Sequence, residues 1–128
     1  MGSGGFHGYN SPMDTKTLQR YSENLWAEYS EIFPQLVKFD CPKIVLNNRF
    51  TKTAGCCYQE TNIIHIGAKF MPKNKLAMLS IILPHELAHQ IDWNLYGLSE
   101  KKCGHGKKWS ETMVKLGLEP HRYHTLEI

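Results

Sequence analysis

Residues 74–97, NKLAMLSIILPHELAHQIDWNLYG, are apolar almost all the way round a helical projection. A helix of that kind is buried on every side, so it must run through the middle of the fold, between a sheet and other helices. Asn74 is the expected cap and Gly97 the expected stop. Its few polar side chains, His85, Glu86, His89, Gln90, Asp92 and Asn94, then need partners, because burying an unpaired polar group costs roughly 2–7 kcal/mol. Pro84 adds a second constraint. It lacks the amide that would bond the carbonyl of Ser80, a loss of roughly 3 kcal/mol when uncompensated. The helix is therefore expected to bend or restart at Pro84, where a proline is tolerated as a first helical residue, with His85, Glu86 and His89 on the downstream part.

The rest of the chain must supply the layers around this helix. Ser11, Pro12 and Asp14 have the form of a helix start, with serine as cap and proline in first place. Leu18, Tyr21, Leu25, Tyr29 and Ile32 then recur at spacings of three and four up to Pro34, which predicts an N-terminal helix with that stripe on the core. From Lys43 the texture changes to short β-type runs, KIVLNN, TKTAGCCYQE and TNIIHIGAKF. They predict a three-stranded, mostly antiparallel sheet with a hairpin at QETN. Ile64 and Ile66 should share one face, and Ile63 and His65 the other. His65 is read as an exposed or half-buried strand residue with no nearby partner, and NIIHIG as a free edge to which an extended peptide could add. A last helix is expected from about Lys107 to Leu116, stopped by Gly117. The fold class is α+β. At 128 residues one domain is expected, over 11–128, and the glycine-rich residues 1–10 read as a flexible tail or cloning scar.

The chemistry is concentrated on the buried helix. At 3.6 residues per turn His85 and His89 lie about 40° apart in projection and about 6 Å apart along the axis, so both imidazoles can reach one ion. Glu86 projects beside them, which suits a general base acting on metal-bound water. A catalytic zinc takes three protein ligands and leaves a fourth position open. The extended HExxHxxGxxH pattern is absent, since Asp92 and Leu95 occupy its glycine and third-histidine positions. Glu100, Glu111 and Cys103 are candidate third ligands by residue type. His105, between two glycines in CGHGKKW and just ahead of the last helix, is favoured because a tight loop can deliver its ring. Asp92 is placed to orient a ligand imidazole from behind or else to face solvent. Trp93 and Trp109 read as packing residues.

PHELAHQIDW, followed sixteen residues after His89 by HGKKW, resembles the SprT-like family of zinc metalloproteases, which includes bacterial SprT and the protease domain of eukaryotic Spartan. The TAGCCYQETNIIHI hairpin and the LGLEPHRYH segment are similar to that family's strand pair and closing segment, so the resemblance runs from the first helix to the C-terminus. It implies a zincin-like metalloprotease domain in which His85, His89 and His105 hold one Zn²⁺ and Glu86 is the catalytic base. It further implies zinc-dependent endopeptidase activity on protein substrates bound or crosslinked to DNA, hence a role in DNA–protein crosslink repair. The cysteine-rich zinc ribbon that follows in many members is not expected within 11–128.

Composition narrows the partners. A formal charge of +3 says little by itself, but Lys101, Lys102, Lys107 and Lys108 bracket His105 and form a candidate phosphate-contacting patch. The bland reading of those lysines is a solvated loop. No apolar run approaches the roughly 20 residues needed to span a bilayer, so no membrane partner is expected. The four cysteines form no CxxC pair, and no secretory signal is visible, so reduced thiols and an intracellular location are expected. That means cytoplasm or nucleoid for a bacterial or phage chain and nucleus for a eukaryotic one. A monomer is expected. The alternative to a protease is a non-proteolytic, zinc-stabilised domain that binds DNA or protein.

Overall fold

The computed structural model describes residues 13–99, 106–120 and 126–127. The first helix, α1, spans Thr15–Ile32. Its cap is Asp14, whose carboxylate accepts a hydrogen bond from the Thr17 amide at 2.7 Å. A carboxylate caps as well as a serine hydroxyl, and its charge favours the positive end of the helix dipole. Ser11 and Pro12 lie outside the described residues. The face turned to the core carries Leu18, Ser22, Trp26 and Tyr29, with Tyr21 and Leu25 half-buried, whereas Ile32 is exposed. The expected stripe is thus rotated toward Trp26, whose indole buries the larger surface and donates to the Phe39 carbonyl at 3.1 Å. Ser22 enters the core because its hydroxyl bonds back to the Leu18 carbonyl. A 3₁₀ turn, Pro34–Lys38, closes the segment and buries Leu36 completely.

The sheet holds β1 (Lys43–Asn47), β2 (Gly55–Tyr58) and β3 (Ile63–Gly67) in the order β1-β3-β2. β2 and β3 form the expected antiparallel hairpin, and Asn62 at the turn adopts a positive φ of 60°. β1, however, pairs with β3 in parallel, Lys43 opposite Ile63 and Asn47 opposite Gly67. The sheet is mixed rather than mostly antiparallel. The cause is the tight turn, which holds β2 on one side of β3 and leaves only the far side for β1. NIIHIG is therefore the central strand, paired on both sides, and presents no free edge. The outer edges belong to β1 and β2. Ile64 and Ile66 do face the core together, while His65 on the opposite face is half-buried and does have partners. Its Nδ1 lies 2.9 Å from Asn47 Nδ2, and the Tyr58 ring meets it edge-on at 5.0 Å.

After a 3₁₀ turn, Ala68–Phe70, the long helical stretch is built from three pieces: α2 (Met71–Ala77), a π-helical turn (Met78–Ile82) and α3 (Leu83–Tyr96). It begins three residues before the expected cap. Asn74 interrupts α2 with φ −128° and ψ 29°, and its amide donates to the carbonyls of Phe70 and Glu127. Pro84 sits in the first turn of α3, so the helix restarts where the proline predicts. The device is a widened turn, in which the Leu83 amide donates to Met78, five residues back. Every residue from Leu83 to Asp92 is buried. Gly97 ends α3 at φ +66°, with its own amide bonded to Trp93 and the Leu98 amide to Asp92. The last helix, α4 (Lys107–Lys115), buries Trp109, Thr112 and Met113. One core joins Leu18, Ile44, Ile64, Met78, Leu87, Ile91 and Trp109. No helix among the described residues is long and apolar enough to cross a membrane.

Candidate metal and catalytic site

α3 lies against β2 through two matching periodicities. Along β2 and the residue just past its end, Gly55, Cys57 and Gln59 alternate onto one face. On the helix, Ile82, Glu86, Gln90 and Asn94 recur every four residues and form one stripe. Gly55 meets Ile82 and Glu86: a Cβ there would fall 2.9 Å from Ile82 Cγ2 and 3.1 Å from Glu86 Cγ. Cys57 Sγ donates to Gln90 Oε1 at 3.3 Å. Gln59 Nε2 donates to the His89 carbonyl at 2.7 Å and to the Leu98 carbonyl at 3.1 Å. Gln90 Nε2 donates in turn to the Gln59 carbonyl and to Asn94 Oδ1. These bonds answer the question raised by polar residues on a buried helix, since the amides are consumed in holding strand and helix in register.

The remaining polar residues of α3 form the site. The His85 and His89 rings converge with centroids 5.0 Å apart, and Glu86 Oε2 lies 4.0 Å from His85 Nε2. All three side chains are buried. Trp109 of α4 covers the pair, tilted on His85 at 4.8 Å and stacked on His89 at 5.3 Å with 21° between the planes. The indole thus limits the rotamers of both imidazoles. Asp92 is buried rather than exposed, and its carboxylate accepts a hydrogen bond from Thr112 Oγ at 2.5 Å. That bond clasps α4 to α3 and so fixes where Trp109 stands. Burial pushes the Asp92 carboxyl above its ordinary value, with Thr112 and Lys108 pulling it partly back.

His85, Glu86 and His89 are brought together as their spacing predicts. His105, Glu100 and Cys103 lie outside the described residues, as do Lys101, Lys102, His121 and His124. Among the described residues no three His, Cys, Asp or Glu side chains gather to hold a metal, and Glu111 is exposed, with its carboxylate 3.9 Å from Lys108 Nζ. Lys108 also lies over the Tyr96 ring at 4.1 Å, whereas Lys107 is exposed. Cys41, Cys56 and Cys57 are free of disulfides. Gly55, Gln59 and the covering role of Trp109 were not legible beforehand. A glycine opening a strand and a glutamine just past its end carry no local signal of what a helix about thirty residues later will place against them.

The chain is a small mixed α/β domain whose buried helix presents a histidine pair and a glutamate beside the outer strand of a three-stranded sheet. The SprT-like family model matches residues 18–124, and the chain belongs to the SprT-like family. It is 34% identical over 88 residues to Protein SprT of Salmonella arizonae, covering 68% of this chain and 51% of the relative. Protein SprT of Vibrio parahaemolyticus is 33% identical over 91 residues, covering 70% and 53%. That of Escherichia fergusonii is 29% identical over 112 residues, covering 86% and 66%. The chain therefore spans about half the length of the first two relatives. No solved structure matches it.

Proposed function

We propose that this protein is a zinc-dependent metalloendopeptidase of SprT-like type that acts on proteins associated with or crosslinked to DNA. The observation that carries the reading is the convergence of His85 and His89 on one buried helix face, with Glu86 beside them against Gly55. The donor set fits one Zn²⁺, because paired imidazoles suit this ion and the SprT-like pattern offers His105 as third ligand. When bound, zinc supplies a Lewis acid that polarises the scissile carbonyl and lowers the pKa of water. Glu86 takes the proton of the attacking water and delivers it to the departing amine nitrogen. Trp109 holds the two imidazole rings, and the Gln59 and Gln90 amides hold the helix that carries them against β2.

β2 packs on Glu86 through Gly55 and is an outer strand, so its open edge is where a substrate strand would add through main-chain bonds, without strict sequence preference. Lys101, Lys102, Lys107 and Lys108 supply the charge for nucleic-acid phosphates, whose contribution should weaken with salt. The test is cleavage of a denatured protein by wild type and Glu86→Gln, with zinc and single-stranded DNA present, alongside metal content. Loss of roughly 10²–10⁴-fold in rate with zinc retained is expected. Equal cleavage by both proteins overturns the role of Glu86. Zinc retention without cleavage by wild type would instead favour a zinc-stabilised binding domain. In the same assay, undiminished zinc affinity in His105→Ala would remove His105 from the ligand set.

A further inference from the structure

The π-helical turn ahead of the site leaves one backbone acceptor to be served from elsewhere. The Leu83 amide reaches back five residues to Met78. The same offset carried one residue further pairs Pro84 with Leu79, and proline has no N–H to give. The half-buried Leu79 carbonyl thereby loses its helical donor, a loss that structures compensate with some other group. That group is the hydroxyl of Tyr21, which crosses from α1 and donates to the Leu79 carbonyl at 3.3 Å. Nearby, the Ser80 hydroxyl of the same turn donates back to the Leu76 carbonyl of α2 at 2.7 Å.

We propose that Tyr21 is a positioning residue for the site, holding the widened turn through the Leu79 carbonyl and so setting the register of His85, Glu86 and His89 against β2. The register has little slack. One residue more or less per turn rotates everything beyond it by roughly 100°. Ile82 ends the π turn and Glu86 follows four residues on, and both close on Gly55 with no room for a methyl group between them. A turn that relaxed to ordinary α pitch would carry that pair off the glycine and the histidines with it. Tyr21 comes from an element separated by 58 residues from its acceptor, so it ties the site helix to α1 independently of the bonds that tie it to β2.

For its effect on cleavage this assignment rests on the protease reading; its structural content does not. The experiment is a double-mutant cycle of Tyr21→Phe and Pro84→Ala, because alanine returns the missing N–H to position 84. Two readouts are taken, namely amide hydrogen exchange of residues 83–90 in the intact chain and steady-state cleavage of a denatured protein with zinc. Tyr21→Phe keeps the ring and removes one hydrogen bond, so exchange should rise and kcat fall by roughly three- to tenfold, with KM nearly unchanged. In the Pro84→Ala background both effects should vanish. Effects of equal size in the two backgrounds, or no effect in either, overturn the proposal. Coupled exchange in a chain whose wild type cleaves nothing sustains the positioning role and overturns the protease reading instead.

Discussion

At Gly55 the clearance between β2 and α3 is smaller than a methyl group, and the atoms that close it belong to Ile82 and to the glutamate of the site. Gly55→Ala therefore acts on both stability and chemistry. Overpacking of this kind costs about 1–3 kcal/mol. Because Glu86 is one of the two groups that must give way, cleavage should fall by more than the fraction of unfolded protein explains, which thermal melts and kcat on the same sample will check. Thr112 has a different consequence, through pH. Burial raises the Asp92 carboxyl above 3.8, so in that range the folded chain holds a proton that the unfolded chain has released. Stability then falls as pH rises from 3.8 through the folded value and is level above it. Thr112→Val removes the hydroxyl that moderates this shift and should cost about 1–3 kcal/mol at neutral pH. The loss should shrink as the pH falls through the folded value to below 3.8, where the carboxyl is protonated in both states, and urea unfolding across that range measures it.

Among the elements, those written in local periodicity were legible: α1 as an amphipathic helix, the β2–β3 hairpin, α3 stopped by Gly97, and α4 ahead of Gly117. The interruption at Pro84 was legible too, since a missing amide is a property of one residue. Its form as a widened turn was not, because that depends on Tyr21 and on the packing of Met78 and Ile82, which lie together only after folding. The parallel pairing of β1 with β3 escaped for the same reason, as strand patterns specify which face is buried but not which neighbour lies alongside. The rotation of the α1 stripe toward Trp26 reflects a core contact, not an intrinsic preference. Gln59 joins these levels. Gln59→Leu removes both amide donations, to His89 and Leu98, and should lower the urea midpoint by an amount equivalent to about 1–3 kcal/mol with the m-value unchanged.

For the whole molecule, one core serves both stability and the site, since Leu83, Leu87, Ala88 and Ile91 share the buried helix with the histidines and the glutamate. Leu87→Ala should cost about 2–5 kcal/mol, read from denaturant unfolding, and should lower activity only through the fraction folded if cleavage is measured well below the melting temperature. The histidine pair and its glutamate were legible because helical spacing places them before any tertiary contact exists. Their cover was not, because Trp109 arrives from a separate helix clasped through Asp92 and Thr112. That cover gives the protein an optical channel of its own. An indole lying on one imidazole and tilted over the other has its excited state set by whatever those rings bind. Added zinc should change the tryptophan emission of the wild-type chain, and Trp109→Phe should silence that change while Trp26 and Trp93 continue to emit, so occupancy becomes readable in a cuvette without any substrate.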